Sequence, residues 1–283
     1  MFQRDTWYTI WSATNAIACA LWLLFGYFGF RQLRSLLLAT QSNMRGWRIH
    51  SVSLVVPVVA DLVLGIVIAT LSTGFILHFR QGVPFPLANF LVRVSILTVI
   101  ALAGALPSGA GLWWILLQAR DLARRTSENA AQINPEALQI FTLYQKSAQS
   151  FLGMQATTVA AAVAEASALR RALVRIVDYP AELVLFYGIL LALGIAFVYL
   201  PTAMTLRQAG SVLRDSAARH LLSDASDQPA DQVARWLELQ DYRDRLDKAL
   251  GLQLGIVDRI QQALGLLAPF LISILGTALP GIK

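Results

Sequence analysis

Four stretches of this chain are too apolar and too long for a water-facing surface: Tyr8 to Phe30, Val52 to Leu77, Leu87 to Gln118 and Leu183 to Met204. A helix needs about 20 apolar residues to cross the hydrocarbon of a bilayer. Inside that hydrocarbon only helices and closed barrels satisfy their own backbone groups. No alternating strand pattern is present, so the expected fold is all-α, a polytopic helical membrane protein with four to five transmembrane helices. Composition agrees, with 56% hydrophobic and 14% charged residues, where a soluble domain carries about 25% charged. A disordered chain, a nucleic-acid-binding tail and an ordinary cytosolic domain are thereby excluded.

The formal charge is +6, with 23 basic residues. The excess lies in short segments beside apolar runs, where the positive-inside rule accounts for it better than nucleic acid does. Arg31, Arg34, Arg45 and Arg48 fill the connection after the first run, and Arg120, Arg124 and Arg125 follow the third. The turn between the second and third runs carries only Arg80. The N-terminus is therefore expected outside and both Arg-rich segments inside, in a multi-pass protein of a prokaryotic inner membrane. The first run is too long for a signal-peptide core and is read as a retained span. Cys19, alone, supports no intramolecular disulfide.

The division expected along the chain begins with residues 1–118, holding spans at about 8–30, 52–77 and 87–106 and an interfacial segment after the Pro107-Ser108-Gly109-Ala110-Gly111 interruption. Pro and Gly are poor helix interior, and Trp113 and Trp114 suit an interfacial aromatic belt. Segment 119–182 holds the most regular pattern. After Asn134-Pro135, an N-cap with a first-turn proline, a near-heptad series runs through Ala137, Phe141, Tyr144, Ala148, Phe151 and Gln155 to Ile176. This predicts a long amphipathic helix outside the bilayer, serving association. Ala156, Ala160, Ala164 and Ala168 repeat every four residues beside it, the spacing that lets helix backbones approach closely. Gln155 and Glu165 interrupt the apolarity and argue against this stretch being a span. Phe141, Tyr144, Phe151 and the alanine ladder are the candidate seam of a homo-oligomer.

Residues 183–204 read as a fourth span, whose crossing would place 205–259 outside; the alternative, with 183–204 re-entrant or buried in the bundle, keeps 205–259 inside. Segment 205–254 reads as a helical hairpin around the polar turn Ser223 to Pro229, with Trp236 and Tyr242 as candidate docking residues for a soluble protein partner. Residues 255–283 turn from amphipathic to apolar and are a candidate fifth span.

Residues with chemistry are few. Asp61 lies about nine residues into the second run, one turn after Pro57. A carboxylate at that depth costs roughly 2.5–3.5 kcal/mol and belongs against the bundle interior or on an ion path. Asp61, Pro57 and Arg93, which enters the third run, are the candidate pore or gating residues. The competing account is a structural Asp–Arg contact. Arg124, Arg125, Arg170 and Arg171 are topology anchors and candidate contacts for anionic lipid headgroups. No metal-ligand spacing, phosphate loop or nucleophile elbow occurs, so no metal, cofactor or catalytic residue is expected.

The leading expectation is a non-enzymatic, homo-oligomeric membrane protein forming a pore or channel, with a membrane-perturbing effector as a special case. A membrane anchor or assembly subunit that docks a soluble partner is the alternative. A lipid-handling membrane enzyme or transporter comes third.

Overall fold

The computed structural model of the chain describes residues 6–43, 90–128, 135–174, 180–223 and 232–252, with scattered positions between 55 and 70 and between 267 and 275. The described elements are all helical. They are α1 (Thr6–Asn43), α2 (Phe90–Glu128), α3 (Pro135–Leu173), α4 (Ala181–Ser223) and α5 (Gln232–Ala249). Three windows are long and apolar enough to cross a membrane: Thr9–Thr40 in α1, Ser95–Glu128 in α2 and Ala181–Ala218 in α4. A membrane protein is the class these helices fit. The second apolar run is described only at scattered positions, and Asp61 and Pro57 lie outside the described residues, as does most of 255–283.

Helix direction follows from paired side chains. Gly26 of α1 lies against Gly104 of α2 and Gly29 against Pro107, so α1 and α2 run parallel. Trp11, Trp22 and Gln32 of α1 bond Glu165, Thr158 and Ser150 of α3, in descending order. α3 is therefore antiparallel to α1. Phe151 of α3 meets Gly111 of α2, and Tyr144 meets Trp114, so α3 is antiparallel to α2 as well. α4 packs Tyr187 and Leu191 near Ala18 and Ala162, but Gly210 near Phe141, which makes it parallel to α1 and α2. α3 thus stands among three helices that all run the other way.

The interruption at 107–111 does not end a helix: α2 is continuous through Pro107 to Glu128. The small residues there serve close packing. A Cβ on Gly104 would sit 2.5 Å from the Trp22 carbonyl oxygen, and one on Gly111 2.5 Å from the Phe151 ring. The Ser108 hydroxyl donates to the Ala105 carbonyl at 2.8 Å within the turn that the proline weakens. No separate interfacial segment follows residue 106, and Trp114 is wholly buried rather than placed in a belt. The expected break at 204 is also absent, since α4 runs unbroken to Ser223, past Pro201. There the Thr202 hydroxyl donates to the carbonyls of Val198, one turn back, and Leu112 of α2.

The main core lies at one end of the bundle. Leu36, Leu112, Trp114, Ile115, Phe141, Tyr144, Phe151, Val198, Ala209 and Leu213 are all buried there. α5 closes this end. Gly251, at φ 61°, ends it in a left-handed turn in which the Leu252 amide donates to the Asp247 carbonyl and the Gly251 amide to that of Lys248. This is the two-bond cap for which glycine is favoured. Leu252 is thereby delivered onto Gly210 and Leu250 into the core.

Candidate functional site

At the opposite end Trp11, Val163, Leu169, Leu173, Leu183 and Val184 are buried, but no aromatic cluster like that around Trp114 forms among the described residues. Ala18, Trp22 and Ala162 form the small cluster there, with Cys19, Leu97, Ala101, Tyr187 and Leu191 packed around it. Large apolar side chains face outward instead: Ile17, Leu23 and Tyr27 on α1, Val92, Ile96 and Val99 on α2, Ile189, Leu193, Phe197 and Met204 on α4. An apolar exterior of this kind is what a lipid solvent permits.

Within this apolar end lies a carboxylate. Glu165 of α3 is half-buried between helices and accepts a hydrogen bond from the Trp11 indole Nε1 of α1 at 2.8 Å. Its position follows from helical spacing. Tyr144, Ala148, Phe151, Gln155, Thr158, Ala162 and Glu165 recur at intervals of three and four and so share the inward face of α3. Among the described residues no basic side chain pairs with Glu165. The neighbouring titratable group on α1 is Cys19, whose thiol is directed at Asn15 Oδ1, 3.8 Å away. A charge taken from water without a cation partner is expensive, so Glu165 is the most costly described residue of the apolar end.

Two further polar contacts continue down the α1–α3 seam. The Trp22 indole Nε1 donates to the Thr158 carbonyl at 2.9 Å, and the Ser150 hydroxyl donates to Gln32 Oε1 at 2.8 Å. Between them lies Gln155, 6% exposed, whose Oε1 is buried without a hydrogen-bond partner. Trp113 Nε1, Trp114 Nε1 and the Tyr144 hydroxyl are likewise buried without a well-formed hydrogen bond. Burial pushes the Tyr144 phenol above its ordinary range, and the nearby Thr40 hydroxyl opposes this only in part.

The residues singled out from sequence fare differently. Arg93 is exposed on the first turns of α2. Asp61 and Pro57 lie outside the described residues, and so does the side chain of Trp236. Tyr242 is half-buried on α5. Phe141, Tyr144 and Phe151 are wholly buried within the chain and Ala156 nearly so, while Ala160, Ala164 and Ala168 are half-buried. The aromatic part of the expected association seam is thus occupied by the chain's own helices, because α3 packs against α1, α2 and α4 together. Arg124 pairs with Glu128 and Arg125 with Asp121 along the exposed end of α2, whereas Arg170 and Arg171 are half-buried near the end of α3.

Trp11 and Glu165 were not selected from sequence. Glu165 registered only as a blemish in an apolar pattern. The available signal was that it falls on the inward face, in phase with Phe151 and Tyr144. Among the described residues no group of three or more His, Cys, Asp or Glu could hold a metal ion. Comparison with known proteins gives no match to a family model, to a curated protein or to a solved structure.

Proposed function

We propose that the chain is an integral membrane protein that conducts ions, with Glu165 as the group on the path. The observation that carries the reading is a carboxylate in the apolar end of the bundle, held by an indole N–H and lacking a basic partner among the described residues. Ionisable residues at such depth usually line transport paths or relays.

Helix direction supports placing Glu165 at bilayer depth. α1, α2 and α4 run the same way and carry their apolar exteriors at the same end. Three same-direction crossings need two return passes. The connection between α1 and α2 contains one suitable run, 52–77. The other return can only be α3, which has the other three helices around it and so needs little apolarity of its own. Five crossings then follow, with the N-terminus outside. The Arg-rich ends of α1 and α2, and segment 205–249 from the last turns of α4 onward, come to lie together on the inside. This reading replaces the expectations that α3 lies outside the bilayer and that 205–259 lies on the outer face.

A pore between copies would have to use the apolar exteriors of α1 and α4, since the aromatic seam of α3 is occupied. The favoured path is therefore within one chain. The test is current through purified protein in planar bilayers. Glu165→Gln, which keeps an acceptor for Trp11, is expected to lower conductance about tenfold or more without loss of fold. Asp61→Asn serves as the parallel arm. Wild-type conductance in Glu165→Gln, or silence of inserted and folded wild-type protein, would overturn the reading.

A second reading, a membrane anchor that docks a soluble partner, draws on α5. Asp241, Arg243, Asp244 and Arg245 are exposed there on a helix held to the bundle at its far end. In that case Glu165→Gln leaves function intact and Tyr242→Ala weakens binding of the partner.

A further inference from the structure

We infer that the ion is a proton and that its route is the α1–α3 seam, from Glu165 past Thr158 and Gln155 to the Gln32–Ser150 pair. The inference rests on the conducting role proposed for Glu165. The seam is the contact where polar groups follow one another through the apolar end. From Glu165 to Thr158 is about 10 Å along α3, from Thr158 to Gln155 about 4.5 Å, and from Gln155 to Ser150 about 7.5 Å, at 1.5 Å per residue. Asn15 and Cys19 of α1 flank the first and longest interval, at the level of Ala162. The Gln32–Ser150 pair stands where α1 passes from the exposed Phe30 to the exposed Arg31 and Arg34, the inner edge of the apolar exterior.

The choice of a proton over a larger cation comes from packing. Ala18, Trp22 and Ala162, each less than a tenth exposed, narrow the level between Glu165 and Gln155, with Asn15 and Cys19 as the polar groups beside it. A dehydrated metal cation passing there would need several oxygen ligands at one level, and the seam offers one or two per level. A proton needs only hydrogen-bonding groups and intervening water. Among the described residues the groups facing Glu165 are Trp11 and Cys19 from α1, while Tyr187 of α4 packs at the neighbouring level. None carries a positive charge that would fix the carboxylate permanently ionised.

Gln155 is the diagnostic residue. A buried acceptor without a partner costs about 1–3 kcal/mol, and native proteins keep few of them. Thr158 directs its hydroxyl hydrogen to the Met154 carbonyl at 2.8 Å, leaving its oxygen able to accept. The Gln155 amide oxygen and the Thr158 hydroxyl oxygen then present two acceptors that hold the water along which a proton is handed between Glu165 and the inner end. Glu165 takes up a proton at its carboxylate from water on the outer side and releases it to a water hydrogen-bonded to these acceptors, which in turn passes a proton on toward the Gln32–Ser150 pair. Gln155 itself is a positioning residue, since its amide orients the water that carries the charge.

The test uses full-length protein in liposomes with an internal pH-sensitive dye and an imposed potassium diffusion potential. Wild type is expected to move protons equally well when sodium is replaced by choline in the outer buffer. Glu165→Gln should lose flux about tenfold or more. Gln155→Leu should lose it about fivefold to tenfold while Gln149→Leu, at an exposed position of α3, should retain it. Gln155→Glu, which restores a polar station, should keep most of the flux, and it stands in if Gln155→Leu does not fold. Normal flux in a folded Gln155→Leu, with Glu165→Gln inactive, overturns the route and leaves the conducting role of Glu165 standing. Currents that follow sodium overturn the proton. Normal flux in Glu165→Gln, or none in inserted wild type, removes the conducting reading and this inference with it.

Discussion

Below Phe30 of α1 and Met204 of α4, the four long helices close around Trp114, Tyr144, Phe141 and Phe151, each wholly buried. Above that level the same helices bury Trp11, Trp22, Val163, Leu173 and Val184 beside the small Ala18 and Ala162, and turn many of their large side chains outward. On the topology proposed above, the difference is one of solvent. In water, apolar area removed from solvent is worth about 25 cal/mol per Å², so the lower end gains by packing densely. In lipid no such gain separates inside from outside, and close backbone contact and hydrogen bonds must hold the helices together. The upper end shows both devices, in Gly26 against Gly104 and in the indole bonds of Trp11 and Trp22.

The largest expected effect breaks the watery end. Tyr144→Ala or Phe151→Ala should destabilise the protein by about 3–5 kcal/mol, the cost of an unfilled aromatic site. Leu193→Ala, at a position 62% exposed in the apolar end, should stay within about 0.5 kcal/mol. Thermal unfolding of both variants in one detergent checks the contrast, and equal losses would deny that the ends differ.

Glycines test the other device. Gly104→Ala forces a methyl group against the Trp22 backbone and should cost about 1–3 kcal/mol by overpacking. Gly153→Ala, with nothing within 4 Å of the added carbon, should be neutral or stabilise by up to about 1 kcal/mol, the helix-propensity gain. Both are read from the same unfolding curves. A Gly104→Ala protein as stable as wild type would mean that the α1–α2 contact is looser than its geometry implies.

Trp11→Phe removes the indole donor while keeping an aromatic ring against α3. The expected loss is about 1 kcal/mol, since hydrogen bonds between membrane helices average about 0.6 kcal/mol and those to charged groups exceed neutral ones. Hydrogen exchange along the first turns of α1 should rise with it. A loss as large as that of Tyr144→Ala would instead make the Trp11–Glu165 bond the principal brace of the apolar end.

These contrasts explain which features the sequence made legible. The apolar runs announced α1, α2 and α4 because a helix facing lipid must be apolar along its own length. α3 was hidden by the opposite circumstance. Enclosed by three neighbours, it can carry Gln155, Thr158 and Glu165, and read alone it resembles a water-side helix. Its near-heptad phase was visible, but phase does not say whether Phe141, Tyr144 and Phe151 meet another copy or the same chain. Pro107 and the glycines around it are helix breakers by propensity. Only the proximity of Trp22 and Phe151 shows why small residues are needed there. Helix direction, on which the proposed side of 205–249 rests, has no local signal at all.

The smallest effect should come where α5 joins the watery end. Arg214 of α4 reaches Asp247 of α5 at 3.1 Å and Asp215 of its own helix at 3.0 Å. Asp247→Asn removes one of two carboxylates and leaves Arg214 neutralised by the other, so no buried charge is stranded. An ion pair open to water contributes about 0.2–1 kcal/mol, and the lower part of that range is expected. The Gly251 cap and the seating of Leu252 on Gly210 remain in place, so α5 should stay docked. Exchange of the 241–249 amides should quicken slightly, with no change in the rest of the bundle. If α5 instead comes free, the ion pair rather than the capped Leu252 anchor holds it. The watery end would then depend on charge as well as on apolar packing.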